Sequence, residues 1–190
     1  QPSQPSQLLQ RKERSAPGTG LWEVLVQGPS LKFHCTRLAP FTNERPRLLA
    51  DSFSVKVRLA AAVGVDTYQL QEAATLACQM LMHKILLPKL QGHELTTLTT
   101  AKGQVTITYD DQLIFIFPEE DCRMVSQRRV TAESLAGIIW EELGRSALKS
   151  LLQLPDLTDV SEETDPWWLE VSLIDGMGQE TTMRRRLESG

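Results

Sequence analysis

The sequence predicts an α+β domain in which an antiparallel sheet of about six or seven strands carries two long helices packed on it. Three observations predict this class. Several short stretches alternate apolar and polar residues, as strands do, and two longer stretches repeat apolar residues every three or four positions, as amphipathic helices do. In chain order these stretches read β-β-β-α-β-β-β-α-β. The two halves share this layout without a residue-by-residue repeat.

The first half is predicted to hold three strands and a helix. A Gly-Pro pair between two apolar runs indicates a hairpin, and a stretch of strict alternation follows it. The helix begins at a residue that can cap it and ends before a proline, which cannot continue it. The predicted ranges are 21–26 and 31–36 for the hairpin, 53–59 for the third strand and 67–87 for the helix.

The second half is predicted to hold three more strands, a helix and a closing strand. Gly137 and Gly144 fall inside the helix, where each costs roughly 1 kcal/mol relative to Ala. We therefore expect them to allow close packing against another element. The predicted ranges are 94–100, 105–109 and 112–117 for the strands, 132–153 for the helix and 167–174 for the closing strand.

The stretch QLIFIF at residues 112–117 is unusual because it is apolar on both faces. Strands of that kind are buried on both sides. We therefore expect it in the middle of a sheet or beneath a helix.

Composition divides the chain into a central domain with polar ends. Gln, Pro and Ser dominate the start, a composition typical of disorder. Because the chain begins without Met, we expect a fragment or a processed protein. The expected segments are a disordered tail at 1–20, an α+β core domain at 21–154, an acidic connector at 155–166, a closing strand at 167–176 and a polar basic tail at 177–190.

Charge and cysteine usage narrow the classes of function. The net charge of −4 gives no overall attraction to nucleic acid or to an anionic membrane. No apolar run approaches the ~20 residues of a membrane-spanning helix, so the chain is predicted to be soluble. Three widely spaced cysteines argue against a disulfide framework or a zinc finger, and favour a reducing compartment.

Catalytic patterns are sparse. His34 and Cys35 are neighbours on a strand, so their side chains point to opposite faces and cannot form a nucleophile and base pair. His83 and His93, with nearby carboxylates, are the candidates for a pocket between sheet and helices. No phosphate-binding glycine loop, serine elbow or HExxH motif is present, and no cofactor or metal is predicted.

An acidic segment followed by two tryptophans is the strongest candidate for a binding site. Its carboxylates cannot be buried without partners, so the segment is exposed. In a strand, one of the two adjacent indoles points outward, where Trp often carries binding energy. The alternative is that both indoles cover the edge or open face of this domain's own sheet. The docking hypothesis is a site for another protein with a basic surface, formed by Asp159, Glu162, Glu163, Asp165, Trp167 and Trp168.

These observations favour a non-catalytic protein–protein interaction module, an adaptor or subunit of a larger complex. One alternative is a nucleic-acid-associated protein that uses a strand-rich face and basic tails. A second alternative is a small enzyme or ligand-binding domain with a pocket between sheet and helices. The candidate nucleic-acid residues are Arg128, Arg129, Arg184, Arg185 and Arg186.

Overall fold

The fold is α+β, as the sequence predicts, with a six-stranded sheet, a three-stranded sheet and two helices in the part of the chain that the structure describes. The computed structural model describes residues 22–41, 44–61, 66–89, 95–127, 129–144 and 168–187. In chain order the elements are β1 (Trp22–Phe41), β2 (Glu44–Ala61), α1 (Thr67–Gln79), β3 (Ile85–Pro88), β4 (Thr96–Ala101), β5 (Gln104–Tyr109), β6 (Gln112–Pro118), a 3₁₀ turn (Glu119–Asp121), β7 (Cys122–Val125), α2 (Ala132–Glu142), β8 (Trp168–Asp175) and β9 (Glu180–Arg186).

The larger sheet is mixed rather than purely antiparallel. Its order is β7-β3-β1-β2-β8-β9, and β3 runs parallel to both β1 and β7. Parallel neighbours need a crossover connection, which β2 and α1 provide between β1 and β3 and the smaller sheet provides between β3 and β7. The other pairs are antiparallel.

The predicted first hairpin is wrong. Residues 22–41 form one long strand, and the Gly-Pro pair lies in an irregularity of that strand instead of in a turn. Gln27 pairs with Lys56 and Lys32 pairs with Ser54, so four residues of β1 stand opposite one residue of β2. A bulge of this kind absorbs the extra residues and lets Pro29 lie in a sheet without a ladder hydrogen bond.

The first helix is shorter than predicted, because residues 85–88 form β3. Leu86 and Leu87 are both fully buried, but in different cores, on opposite sides of the sheet. Successive residues reach opposite sides only in a strand. For α2, the predicted end at residue 153 lies outside the described residues.

The helices pack on one face of the larger sheet. Phe53, Val55, Val57 and Leu59 of β2 are buried there with apolar residues of both helices. The close packing expected at Gly137 is present, since a Cβ on this residue would lie 3.3 Å from Cε of Met183 in β9. At Gly144 an added Cβ would meet only Trp140, at an ordinary 3.9 Å.

The smaller sheet covers one end of the opposite face. Val105 and Ile107 of β5 are buried against Leu38 and Leu87 of the larger sheet. The strand order is β4-β5-β6, so the QLIFIF strand, β6, lies at an edge. The expectation of a central or helix-covered position is therefore wrong.

The C-terminal region also differs from the expected tail. Residues 168–175 form the predicted closing strand, β8, but residues 180–186 add a further strand, β9. Met183 packs against the helix-side core, which anchors this charged strand to the sheet. Among the described residues, no helix is long and apolar enough to cross a bilayer.

Candidate functional site

The face of the larger sheet opposite the helices is polar where the smaller sheet does not cover it. Residues of β1, β2, β8 and β9 that pair in register point to this side, while their sequence neighbours face the helix-side core. We call it the open face; it consists of Lys32, His34, Ser52, Ser54, Lys56, Arg58, Glu170, Ser172, Thr182 and Arg184.

Cross-strand contacts organise the open face. Arg58 lies between two carboxylates, with nitrogen–oxygen distances of 3.1 Å to Glu23 and 3.3 Å to Glu170. The hydroxyls of Ser172 and Thr182 lie 2.7 Å apart. These pairs connect neighbouring strands across the open face, although partly exposed ion pairs add only modest stability.

Trp168 belongs to this side of the sheet as well. The guanidinium carbon of Arg184 lies 3.7 Å from the centroid of its ring, so the chain itself covers part of the indole that the docking hypothesis places at a partner. The other five residues of that predicted docking site, Asp159, Glu162, Glu163, Asp165 and Trp167, lie outside the described residues.

Two histidines face each other on the open face. The rings of His34 and His83 are nearly parallel, with an interplanar angle of 20° and centroids 6.3 Å apart. Both side chains are exposed. We call them the imidazole pair. Ser52 of β2 stands directly opposite His34 in the register, so a hydroxyl lies beside the pair.

The turn after α1 places His83. Its backbone is left-handed, with φ of 58°, and its N–H donates to the carbonyl of His34 at 2.6 Å. The N–H of Thr36 donates to the carbonyl of Lys84 at 3.0 Å, which starts the parallel pairing of β1 with β3. Hydrogen bonds on both sides of His83 thus fix its position relative to β1.

The imidazole pair lies between the buried core under the smaller sheet and the polar open face. On the same side of the larger sheet, Leu38 and Ile85 belong to the core under the smaller sheet. In the other direction the open face is hydroxylated and charged. His93, the predicted partner of His83, lies outside the described residues. The sequence did not indicate this site at His34, because His83 is brought beside it by the parallel pairing of β1 with β3. Residues 85–87 of β3 had been predicted as the end of a helix.

On the helix side of the sheet, Arg37 and Asp51 form a partly buried ion pair. Arg37 also donates from Nη1 to the carbonyl of Val130 at 2.8 Å, just before the N-cap of α2. The guanidinium therefore joins β1, β2 and the start of α2. Its role is to position these elements.

The buried thiols are poor nucleophiles. Burial raises the pKa of Cys35 to about 11; the charge of Asp51 adds to this rise, and that of Arg37 opposes it. Burial likewise raises the pKa of Cys78 to about 12. Since the thiolate is the reactive form, neither residue is activated. Cys35 is buried on the helix side, whereas His34 is exposed on the open face.

The predicted nucleic-acid residues do not share one face. Arg184 lies on the open face, while Arg185 points to the helix side, with its guanidinium carbon 5.7 Å from the ring centroid of Trp140. Arg129 is exposed and Arg128 lies outside the described residues; Arg186 is exposed at the end of β9. Within the described ranges, no group of three or more His, Cys, Asp or Glu side chains is placed to hold a metal ion.

Comparisons with known proteins find relatives by structure alone. No protein-family model matches the chain, and no curated protein matches it. Its structure is similar to 6-pyruvoyltetrahydropterin synthase from Plasmodium vivax, in a variant of a catalytic residue, with a TM-score of 0.68, 23% identity, and coverage of 87% of this chain and 98% of that one. The Plasmodium falciparum enzyme gives a TM-score of 0.69 and 20% identity at the same coverage.

These structural relatives correct the functional prediction. The adaptor hypothesis assumed that the apolar residues build one closed core and that this core contains no cluster of catalytic side chains. The neighbours that share nearly their whole length with this chain are enzymes. The prediction of a non-catalytic interaction module, adaptor or complex subunit is therefore wrong, and what the comparisons establish is the fold of 6-pyruvoyltetrahydropterin synthase.

Proposed function

We propose that this chain is a small enzyme or ligand-binding protein that takes a pterin-like molecule, a planar heterocycle with hydrogen-bonding edges. The observation that carries the proposal is the similarity to 6-pyruvoyltetrahydropterin synthases from two Plasmodium species over 98% of their chains. A fold alone does not assign a reaction, so the proposal also needs a site with suitable chemistry.

The imidazole pair is the proposed centre of that site. An imidazole can take up or release a proton near neutral pH, and it is the side chain most often used for general acid–base catalysis. His34 and His83 are exposed to an incoming ligand and are held by backbone hydrogen bonds. One ring can then donate a proton while the other accepts one.

The surroundings of the pair suit a flat, polar heterocycle. Ligand sites combine apolar surface with a few fixed polar groups. Here partly buried Ile85, at the margin of the core under the smaller sheet, lies two residues after His83, and Ser52 lies across from His34. The guanidinium of Arg58, between the carboxylates of Glu23 and Glu170, adds further polar groups along the open face. A flat heterocycle bound here could therefore stack on its neighbours and form hydrogen bonds at its edges.

The test is calorimetric titration with pterin and with a reduced pterin that carries a three-carbon side chain. We expect binding by the unmodified chain, and at least about tenfold weaker binding by His34→Gln and by His83→Asn. Asn is chosen at residue 83 because it tolerates the left-handed backbone. Thr99→Asn, on the exposed surface of β4, is the matched control and should bind normally.

A second measurement separates catalysis from binding. The reduced pterin is incubated with each variant, and its side chain is followed by mass spectrometry. Turnover lost in both histidine variants but kept in Thr99→Asn supports an enzyme; binding without turnover supports a ligand-binding protein. If folded, unmodified protein binds neither pterin, the proposal fails.

A further inference from the structure

The edge strand β6 carries apolar side chains that its own sheet does not bury. Leu113 is 55% exposed and Ile116 is 50% exposed. Both project from the outer face of the smaller sheet, since they pair with Thr108 and Thr106 while Phe115 and Phe117 face the inner core. Within the described residues β6 pairs only with β5. Exposed, apolar edge strands are templates for pairing with a further strand.

The backbone of β6 is suited to accept such a strand. Asp110 and Asp111 have φ of 50° and 57° and form a two-residue hairpin turn between Tyr109 and Gln112. From that turn hydrogen-bonded and non-hydrogen-bonded pairs alternate, with Ile114 as an extra residue in a bulge, since Thr108 pairs with Leu113 and Ile107 pairs with Phe115. The alternation directs the N–H and C=O of Ile116 away from β5. Pro118 ends the run of donors, because it has no N–H.

Both ends of this edge are acidic. Between Lys102 and Arg123 the sequence has five carboxylates and not one Lys or Arg. Two of the carboxylates, on Asp110 and Asp111, lie in the turn before β6, and three lie in the 3₁₀ turn after it. Of the nearby cations, Lys84 donates to the main-chain carbonyl of Glu120 at 2.6 Å. Lys102 lies in the β4–β5 turn beside the same end.

This charge pattern argues against a second copy of the chain as the occupant. Antiparallel pairing of two β6 strands centred on Phe115 places Asp110 of each copy opposite Glu120 of the other. Parallel pairing places each acidic turn beside its own equivalent. Either arrangement brings like charges together, which is unfavourable.

We propose that the edge of β6 directed away from β5 binds an extended peptide segment of another protein, by strand addition. The segment is uncharged, with apolar residues at alternate positions to pack on Leu113 and Ile116, and it carries Lys or Arg at both ends to face the two acidic turns. Main-chain hydrogen bonds supply affinity in such complexes, and alternate side chains supply specificity. This site is separate from the imidazole pair and from the proposed pterin site.

The test uses a labelled peptide of about nine residues that alternates valine and threonine and has two basic residues at each end. Binding to the full chain is followed by fluorescence anisotropy. We expect saturable binding that weakens as salt is added. A peptide with glutamates in place of the basic residues should bind at least about tenfold more weakly.

Two variants locate the site. Ile116→Lys places a positive charge on the outer face of β6, and Ile116→Pro removes the outward N–H without removing a hydrogen bond to β5. Each should weaken peptide binding by at least about tenfold, whereas Leu76→Lys, at a residue 57% exposed on α1, should not. Pterin binding by all three variants should equal that of the unmodified chain, so failure of this inference is distinguishable from failure of the proposed function.

Three results overturn the inference. The first is equal affinity for the basic and acidic peptides, and the second is peptide binding unchanged in both Ile116 variants. The third is concentration-dependent self-association of the unmodified chain that Ile116→Lys abolishes, because it makes a second copy the occupant.

Discussion

The guanidinium of Arg184 lies over the indole of Trp168, with 3.7 Å between its central carbon and the ring centroid. This contact joins β8 to β9 on the open face. It also links a tryptophan expected to point toward a partner with an arginine expected in a tail. Edge strands that carry several positive charges gain little from burial, so a contact of this kind helps to hold β9 in place.

The first prediction is that Trp168 and Arg184 stabilise the fold cooperatively. A double-mutant cycle with Trp168→Ala and Arg184→Ala, measured by urea unfolding, should give a coupling free energy of about 0.5–2 kcal/mol. Arg185→Ala is the control, since it removes a charge from the same strand but on the opposite side of the sheet from Trp168; its coupling to Trp168→Ala should be smaller. Equal coupling for both arginines would show that only the net charge of β9 matters.

The second prediction concerns the ion pair between Arg37 and Asp51, whose side chains are only 25% and 23% exposed. Asp51→Asn leaves the guanidinium without its carboxylate in a partly dehydrated position, and should lower the free energy of unfolding by roughly 1–3 kcal/mol. The exposed pair of Lys56 and Glu180 gives the comparison. Glu180→Gln should cost at most about 1 kcal/mol. If the two variants lose the same stability, the Arg37 pair does not join β1 and β2 to α2 as inferred.

The third prediction is a loss of stability in alkaline solution caused by the buried thiols. Burial raises the pKa of Cys78 from its ordinary value of 9.0 to about 12, so the native state holds this proton more tightly than the unfolded state does. The stabilisation is complete below about pH 9 and disappears as the pH rises toward 12. Cys35 behaves alike up to about pH 11.

The measurement for the thiols is the free energy of unfolding at several pH values between about 8 and 10.5. Cys78→Ala should flatten the decline relative to the unmodified chain, even though the variant is less stable at about pH 8 because it leaves a small cavity. Cys122→Ala is the control, because Cys122 is only partly buried and its pKa is raised less. A decline identical in all three proteins would contradict the assignment.

Local patterns were enough to predict the fold class. The alternation at Phe53, Val55 and Val57 places these residues on the helix-side core, and Thr131 caps α2 as its position suggests. The periodicity of apolar residues predicts which side of a helix or strand is apolar and therefore buried. This periodicity does not predict which helices and strands become neighbours in the fold.

The incorrect predictions all concern elements whose position depends on which distant strand they pair with. Leu86 and Leu87 fall inside the predicted helix, yet they form a strand because β1 offers a parallel edge on which to pair. The stretch QLIFIF has the composition of a central strand and lies at an edge. The imidazole pair depends on the same long-range pairing of β1 and β3. The separation of His34 and His83 along the sequence does not indicate that the two rings lie side by side.

The fourth prediction separates the backbone role of His83 from its imidazole. With φ of 58° this residue occupies a region that β-branched side chains avoid. His83→Val should therefore lower the free energy of unfolding by about 1–3 kcal/mol, whereas His83→Gly should cost little at this position because glycine adopts positive φ without strain. Both variants remove the ring, so both should lose pterin binding if the imidazole carries the site. The decisive comparison is between unfolding in urea and pterin titration: a stable His83→Gly that no longer binds assigns the ring to the ligand, and a stable His83→Gly that binds normally removes His83 from the site.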